Sequence, residues 1–313
     1  VKFEQRKDLL GLKELSREEI LQILDTAVPM KDIIKRDIKK VPTLRGKAMV
    51  TIFYENSTRT RTSFELAGKY LSADTTNLAV STSSVQKGES LRDTIKTMEM
   101  MGFDLMVMRH SMSGTPHYVA RNTTMRVINA GDGANEHPTQ ALLDMYTMRE
   151  HKGKLDGLKV AIVGDIRHSR VARSNIWGLT KFGCEIRVVG PSTLIPPEIE
   201  KMGVKVYYDL DTALDGVDVI NVLRIQRERQ EVGFFPSLDE YADLYMLRPE
   251  HLLRAKDDVL VLHPGPMNRG IEISSEIADG SHALINEQVT NGVAVRMALL
   301  FLMMGGAKDE IAI

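Results

Sequence analysis

Short apolar runs, each ending in polar or glycine-rich sequence, alternate with stretches of helical period along this chain. Near the start, Ser16-Arg17-Glu18-Glu19 forms a capping box, and Ile20, Ile23, Leu24 and Ala27 follow at helical spacing. Ala48–Tyr54 reads as a buried strand ending at Glu55, and Ser63–Gly68 as the opening of a helix, with Asn56, Ser57 and Thr58 as N-cap types between them. Leu105–Met108 reads as a strand ending at Arg109-His110, and Val127–Gly133 as a strand leaving into a glycine-rich turn. Strand, helix, strand, helix implies a parallel sheet. From Gly157 the pattern restarts: strands at Lys159–Asp165, Glu185–Gly190, Val204–Tyr208, Val217–Val222 and Val259–Leu262, and a helix over Val171–Phe182. A last helix runs from about Asn291 to Met304. The expected fold class is α/β, with two doubly wound parallel-sheet domains joined by interdomain helices. The lysine-rich stretch His151–Lys154 places their boundary, giving domains of 1–150 and 151–290, with the helix in 291–313 returning to the first.

In open parallel sheets, ligands bind outside the carboxyl ends of the strands. The residues just past these strands are Ser57-Thr58-Arg59-Thr60-Arg61, Arg109, His137 after the Gly131–Gly133 turn, Arg170, Arg224 and His263-Pro264-Gly265-Pro266. The first stretch sits at a helix N-terminus, where backbone N–H groups lack intrahelical acceptors and the dipole is positive, so it suits a phosphate. Taken alone it also suits a capped helix with a solvated first turn. In His137-Pro138-Thr139-Gln140, Pro138 fits the first position of a helix. His137 then stands at a positive helix end, as a hydrogen-bond donor to a carbonyl or as a cap for its own helix. Ser83 and Lys87 lie in a polar loop without apolar period, which by itself reads as solvated surface.

Composition narrows the class. The chain has 313 residues, 43% hydrophobic and 27% charged, with a formal net charge of −1. That charge gives no global field to attract nucleic acid. Cations gathered at strand ends in such a chain point instead to small anionic substrates. One cysteine, Cys184, excludes an internal disulfide framework and reads as a small core residue. The eight histidines show no paired ligand spacing, so no metal is expected. No signal peptide is visible, and the apolar run Met297–Met304 is too short to span a bilayer, so a cytoplasmic protein without a membrane partner is expected.

Ser57-Thr58-Arg59-Thr60-Arg61 after a strand, then Ser83 with Lys87-Gly88-Glu89, then Arg109-His110, then His137-Pro138-Thr139-Gln140, resembles the aspartate/ornithine carbamoyltransferase family, in order and over the whole chain. Arg224-Ile225-Gln226 and His263-Pro264-Gly265-Pro266 resemble its aspartate branch, since ornithine enzymes tend to have a His-Cys-Leu-Pro turn at the second place. The resemblance implies transfer of a carbamoyl group from carbamoyl phosphate to the amine of L-aspartate, an early step of pyrimidine synthesis, with no cofactor. It implies that Ser57, Thr58, Arg59 and Thr60 hold the phosphate. Arg109, His137 and Thr60 donate to the carbamoyl oxygen, and Gln140 with the Pro264–Gly265 backbone orients the carbamoyl NH₂. Arg170, Arg224 and Gln226 clamp the aspartate carboxylates. It implies a homotrimer in which Ser83 and Lys87 reach the neighbouring subunit's site, and leaves room for a regulatory chain or pathway enzyme as partner. Arg61 reads as structural, pairing with a carboxylate at a domain or subunit contact. Arg227–Glu231 reads either as a lid or as a charged surface loop. An ornithine acceptor stays open. A nicotinamide dehydrogenase is disfavoured, because Gly164-Asp165-Ile166-Arg167-His168 lacks the G-x-G-x-x-G fingerprint. A non-catalytic anion-binding module is the third alternative.

Overall fold

A computed structural model describes residues 2–79, 88–225 and 237–305. Ser83, Lys87, Gln226 and the Arg227–Glu231 loop lie outside the described residues. The chain divides into two compact units, one formed by the described residues of Val1–Leu142 and Thr290–Ile313, the other by Leu143–Val289.

The first unit begins with α1 (Arg17–Lys35), whose Ser16 and Glu19 complete the expected capping box. There follow β1 (Ala48–Phe53), α2 (Thr58–Tyr70), β2 (Asp74–Ala79), α3 (Leu91–Met100), β3 (Leu105–His110), α4 (Thr115–Arg121), β4 (Arg126–Asp132) and the start of α5 (Pro138–Lys152). The four strands are parallel in the order β2-β1-β3-β4. The central strands are continuous apolar runs because both faces are covered. On one face Val50, Ile52, Met106, Met108 and Val127 pack with Ile95 and Val119 of α3 and α4. On α2, a Cβ at Gly68 would collide with the Thr75 methyl and come within 2.9 Å of Met49 Sδ. Glycine therefore lets that helix lie close to the sheet.

The second unit holds β5 (Lys159–Val163), α6 (Arg170–Thr180), β6 (Glu185–Val189), β7 (Val204–Tyr207), α7 (Leu210–Leu214), β8 (Val219–Val222), α8 (Leu238–Tyr245), α9 (Pro249–Leu252), β9 (Leu260–Leu262) and α10 (Ser275–Ala278). Its strands are again parallel, in the order β7-β6-β5-β8-β9. Its core includes Ala161, Val163, Ile220, Val222 and Val261 from the sheet, against Leu214, Tyr241 and Ile277 from helices. Cys184 is buried here, and that burial pushes its thiol up to about 11. The last described helix is α11 (Ile285–Met304), whose residues from Val293 on are almost all apolar and buried.

Two parallel-sheet α/β units are as the pattern implies. Several bounds differ. α2 opens at Thr58 rather than Ser63, because a polar first turn carries no apolar period to read. α11 opens at Ile285 rather than Asn291. The two compact units part at Leu142/Leu143, inside α5, whose last residues are His151 and Lys152. β2 gave no signal in sequence. Its residues, Asp-Thr-Thr-Asn-Leu-Ala, are mostly polar because it is an edge strand.

Candidate active site

In each sheet the strand order reverses at one place, between β1 and β3 in the first unit and between β5 and β8 in the second. Loops leaving the carboxyl ends there diverge to opposite faces and open a crevice. Ser57–Arg61 and Arg109 stand at the first of these places and Arg170 and Arg224 at the second, while His137 and His263 follow the next strands out, β4 and β9.

In the first unit, β1 leads through Glu55 and Asn56 to Ser57, the N-cap of α2, with Arg59 and Thr60 in the helix's first turn. Ser57 makes no side-chain cap; its Oγ lies 3.1 Å from Nη1 of Arg109, which donates to it. Arg109 ends β3, and its Nε donates to Glu55 Oε2 at 3.1 Å. The adjacent strand end thus sends a guanidinium across to the start of α2. Thr58 and Arg59 are exposed there, and Thr60 is buried. Arg61 pairs along its own helix with Glu65, Nε to Oε1 at 3.9 Å.

β4 lies beside β3 and delivers the next element. Its last residue, Asp132, is fully buried and accepts from Gly114 N (2.7 Å), Asn129 Nδ2 (2.7 Å), Asn135 Nδ2 (3.1 Å) and Glu136 N (3.2 Å). At Gly133, with φ of +49°, a Cβ would come within 2.8 Å of Ser113 N and 2.9 Å of Ser111 O. Glu136 accepts from Leu12 N at 2.7 Å. The turn so fixed leads to His137, whose carbonyl accepts the first helical bonds of α5 from Gln140 N (3.1 Å) and Ala141 N (3.3 Å). His137 and Gln140 are both buried, with Pro138 at the helix's first position as expected. Beside Arg109, burial pushes the His110 imidazole below its ordinary value. Its ring lies 4.7 Å from that of Tyr54.

In the second unit, Leu223 N donates to Val163 O at 2.8 Å and so carries the β5–β8 pairing one residue further. Arg224 therefore leaves from beside the loop that leads to Arg170. Ser169 caps α6 by accepting from Ala172 N at 3.1 Å, and Arg170 opens the helix with only 3% of its surface exposed. A cation buried at the positive end of a helix is an unfavourable placement that an anion offsets. Asp165, fully buried, accepts from His168 N (3.1 Å) and contacts His168 Nδ1 (3.0 Å). Past β9, the turn His263–Gly265 is held by Gln288, whose Oε1 accepts from His263 N at 3.0 Å.

The first half of the chain, residues 7–150, matches the family model for the carbamoyl-P binding domain of aspartate/ornithine carbamoyltransferase. Residues 156–303 match the model for its Asp/Orn binding domain. The chain belongs to the aspartate/ornithine carbamoyltransferase family. It is 82% identical to the aspartate carbamoyltransferase catalytic subunit of Syntrophomonas wolfei subsp. wolfei, over 98% of each chain. The corresponding protein of Moorella thermoacetica is 70% identical, over 97% of this chain and 99% of that one. Among solved structures, aspartate transcarbamoylase from Trypanosoma cruzi in complex with N-(phosphonacetyl)-L-aspartic acid gives a TM-score of 0.88 at 30% identity, covering 97% of this chain and 98% of that one. Ornithine carbamoyltransferase from Pyrococcus furiosus gives 0.86, also at 30%, covering 98% and 100%. Backbone shape thus does not separate the two branches, whereas the sequence relatives fall in the aspartate branch.

The supporting residues were not legible beforehand. Glu55, Asp132 and Glu136 hold candidate site residues in the first unit, as Gln288 does in the second, and no motif in the sequence singles them out. Arg296 carries a faint signal, the one charge in the apolar run from Val293 to Met304. Glu150, His151 and Glu287 bring potential ligand atoms within 4.8 Å of one another, at the opposite end of α5 from His137. Exposed acidic groups commonly cluster so without an ion. Among the described residues no helix is long and apolar enough to cross a membrane.

Proposed function

We propose that this chain transfers the carbamoyl group of carbamoyl phosphate to the amine of L-aspartate, giving N-carbamoyl-L-aspartate and phosphate, in de novo pyrimidine synthesis. The observation that carries this is 82% identity, over 98% of both chains, to an aspartate carbamoyltransferase catalytic subunit. The site chemistry is consistent with it. The amine attacks the carbamoyl carbon directly, the carbonyl oxygen gains negative charge in a tetrahedral transition state, and phosphate leaves as the carbonyl reforms. Ser57, Thr58, Arg59 and Thr60 hold the phosphate at the start of α2. Arg109, His137 and Thr60 donate to the carbamoyl oxygen, and removing such a donor costs on the order of a hundredfold in rate. Gln140 and the Pro264–Gly265 backbone orient the carbamoyl NH₂. Arg170 and Arg224, with Gln226, take the two carboxylates of aspartate, since a planar guanidinium matches a carboxylate in a fork. Ser83 and Lys87 serve the site of a neighbouring subunit in a homotrimer, and the protein works in the cytoplasm.

The test is phosphate release from carbamoyl phosphate with aspartate and, separately, with ornithine. Turnover with aspartate alone is expected. In the Arg224→Ala variant the aspartate KM should rise by about tenfold or more while carbamoyl phosphate binding is spared, a charge-assisted contact being worth ~1.5–3 kcal/mol. Turnover with ornithine and none with aspartate would overturn the reading.

A further inference from the structure

Past β9 the chain makes a tight turn around one buried imidazole. His263 and Glu272 both have fully buried side chains. Gly265 N donates to His263 Nδ1 at 2.8 Å. That nitrogen is an acceptor, so the proton sits on Nε2, which faces Glu272 Oε1 at 3.1 Å and donates to it. The carboxylate is held in turn. Oε1 also accepts from Asn268 N at 2.6 Å, and Oε2 from Asn268 Nδ2 at 3.1 Å. The main chain of His263 is held separately through Gln288 Oε1 (3.0 Å). Gln288 Nε2 donates to Asp144 Oδ1 at 2.8 Å, and Asp144 Oδ2 accepts from Asn175 Nδ2 at 2.8 Å. Neither end of the imidazole can shift without breaking a buried hydrogen bond.

The consequence lies in the peptide between Pro264 and Gly265. It is trans, since the one cis bond in this turn is Gly265–Pro266. A trans peptide is planar, and its carbonyl points opposite its N–H. Pinning the Gly265 N–H on Nδ1 therefore aims the Pro264 carbonyl oxygen the other way. Gly265 stands at φ of +64°, a conformation that a side chain would resist.

We propose that the buried His263–Glu272 pair is a positioning device that aims the Pro264 carbonyl at the carbamoyl NH₂ and so lets the site tell carbamoyl phosphate from inorganic phosphate. The inference rests on the carbamoyltransferase reading above. Both ligands carry the phosphate end, and only the carbamoyl NH₂ needs a carbonyl acceptor. His263 is a positioning residue, acting through Pro264 and Gly265 without touching substrate.

The experiment measures KM for carbamoyl phosphate and the competitive inhibition constant of inorganic phosphate in two variants. In His263→Asn, the amide oxygen stands near the place of Nδ1 and can still accept from Gly265 N. In His263→Gln, the amide nitrogen stands near the place of Nε2 and can donate to Glu272, but Gly265 loses its acceptor. His263→Gln should raise KM about tenfold, with the phosphate constant changed less than twofold; His263→Asn should stay within threefold of wild type on both. Equal damage in the two variants, or a parallel shift of both constants, would mean a purely structural pair and overturn the proposal. Should His263→Gln not fold, Glu272→Gln weakens the bond from Nε2 without removing its acceptor oxygen. It should raise KM about threefold and leave the phosphate constant alone; an unchanged KM overturns the proposal equally. A wild type inactive toward aspartate removes the functional reading itself. An active wild type whose variants show no selective shift removes only this inference.

Discussion

Asp132 shows how much one side chain can organise. Its fully buried carboxylate accepts from Gly114, Asn129, Asn135 and Glu136, and so closes the turn that ends in His137. No other side chain of that size offers two oxygens with no donor of its own. Asp132→Asn would set an NH₂ against backbone and amide donors. A buried donor left unsatisfied costs ~1–3 kcal/mol. Denaturant unfolding should lose stability of about that size, and kcat should fall as His137 loses its fixed approach. An unfolding midpoint and kcat both equal to wild type would show that the turn does not depend on this carboxylate.

Two helix starts carry the candidate site residues of the first unit, and a third helix ties them together. Arg296 of α11 is buried, donating from Nη1 to Ser63 Oγ at 2.9 Å and from Nη2 to Thr139 Oγ1 at 3.2 Å. Its guanidinium also lies 5.2 Å from the centroid of the Phe64 ring. Ser63 follows the first turn of α2, and Thr139 lies in the first turn of α5. One fork thus sets the starts of both helices, Ser57–Thr60 on one and His137 and Gln140 on the other. Lysine has the charge without the fork. Arg296→Lys should therefore fall well short of wild type, losing roughly 1–3 kcal/mol in denaturant unfolding and weakening the inhibition constant of inorganic phosphate. If Arg296→Lys matches wild type in both, charge alone suffices and the fork is incidental.

For the whole molecule, the trimer proposal makes a claim that no single chain can satisfy. If Lys87 serves the neighbour's site, Lys87→Ala and His137→Ala should each be nearly inactive while remaining assembled. Chains exchanged between the two variants should regain activity, because a site taking His137 from one chain and Lys87 from the next is then whole. The readout is specific activity of the reassembled mixture, with mass measurement to verify mixed oligomers. Mixed oligomers without recovery would place both residues in one subunit. The division into two units has a parallel consequence. The residues proposed to bind phosphate lie in the first, and Arg170 and Arg224, proposed to clamp aspartate, in the second, a separation already readable in the strand ends of each half.

The sequence by itself determined the class of fold and pointed to candidate site residues along the chain. Strands buried on both faces are largely apolar, so β1, β3, β5 and β8 announce themselves, and the cations just past them stand out. The family motifs are contiguous, as are Ser57–Arg61 and His137–Gln140, and need no folding to be read. The tertiary structure decided which strand ends are neighbours. Orders β2-β1-β3-β4 and β7-β6-β5-β8-β9 put a reversal between β1 and β3 and between β5 and β8. Only that order brings Arg109 to Ser57 and Leu223 to Val163. It decided the buried partners as well: Arg296 with Ser63 and Thr139, Asp144 with Gln288, His263 with Glu272. Periodicity reports only whether a residue faces inward. Which polar group meets it there depends on contacts between residues far apart in the chain, and one sequence read by local pattern carries no record of them.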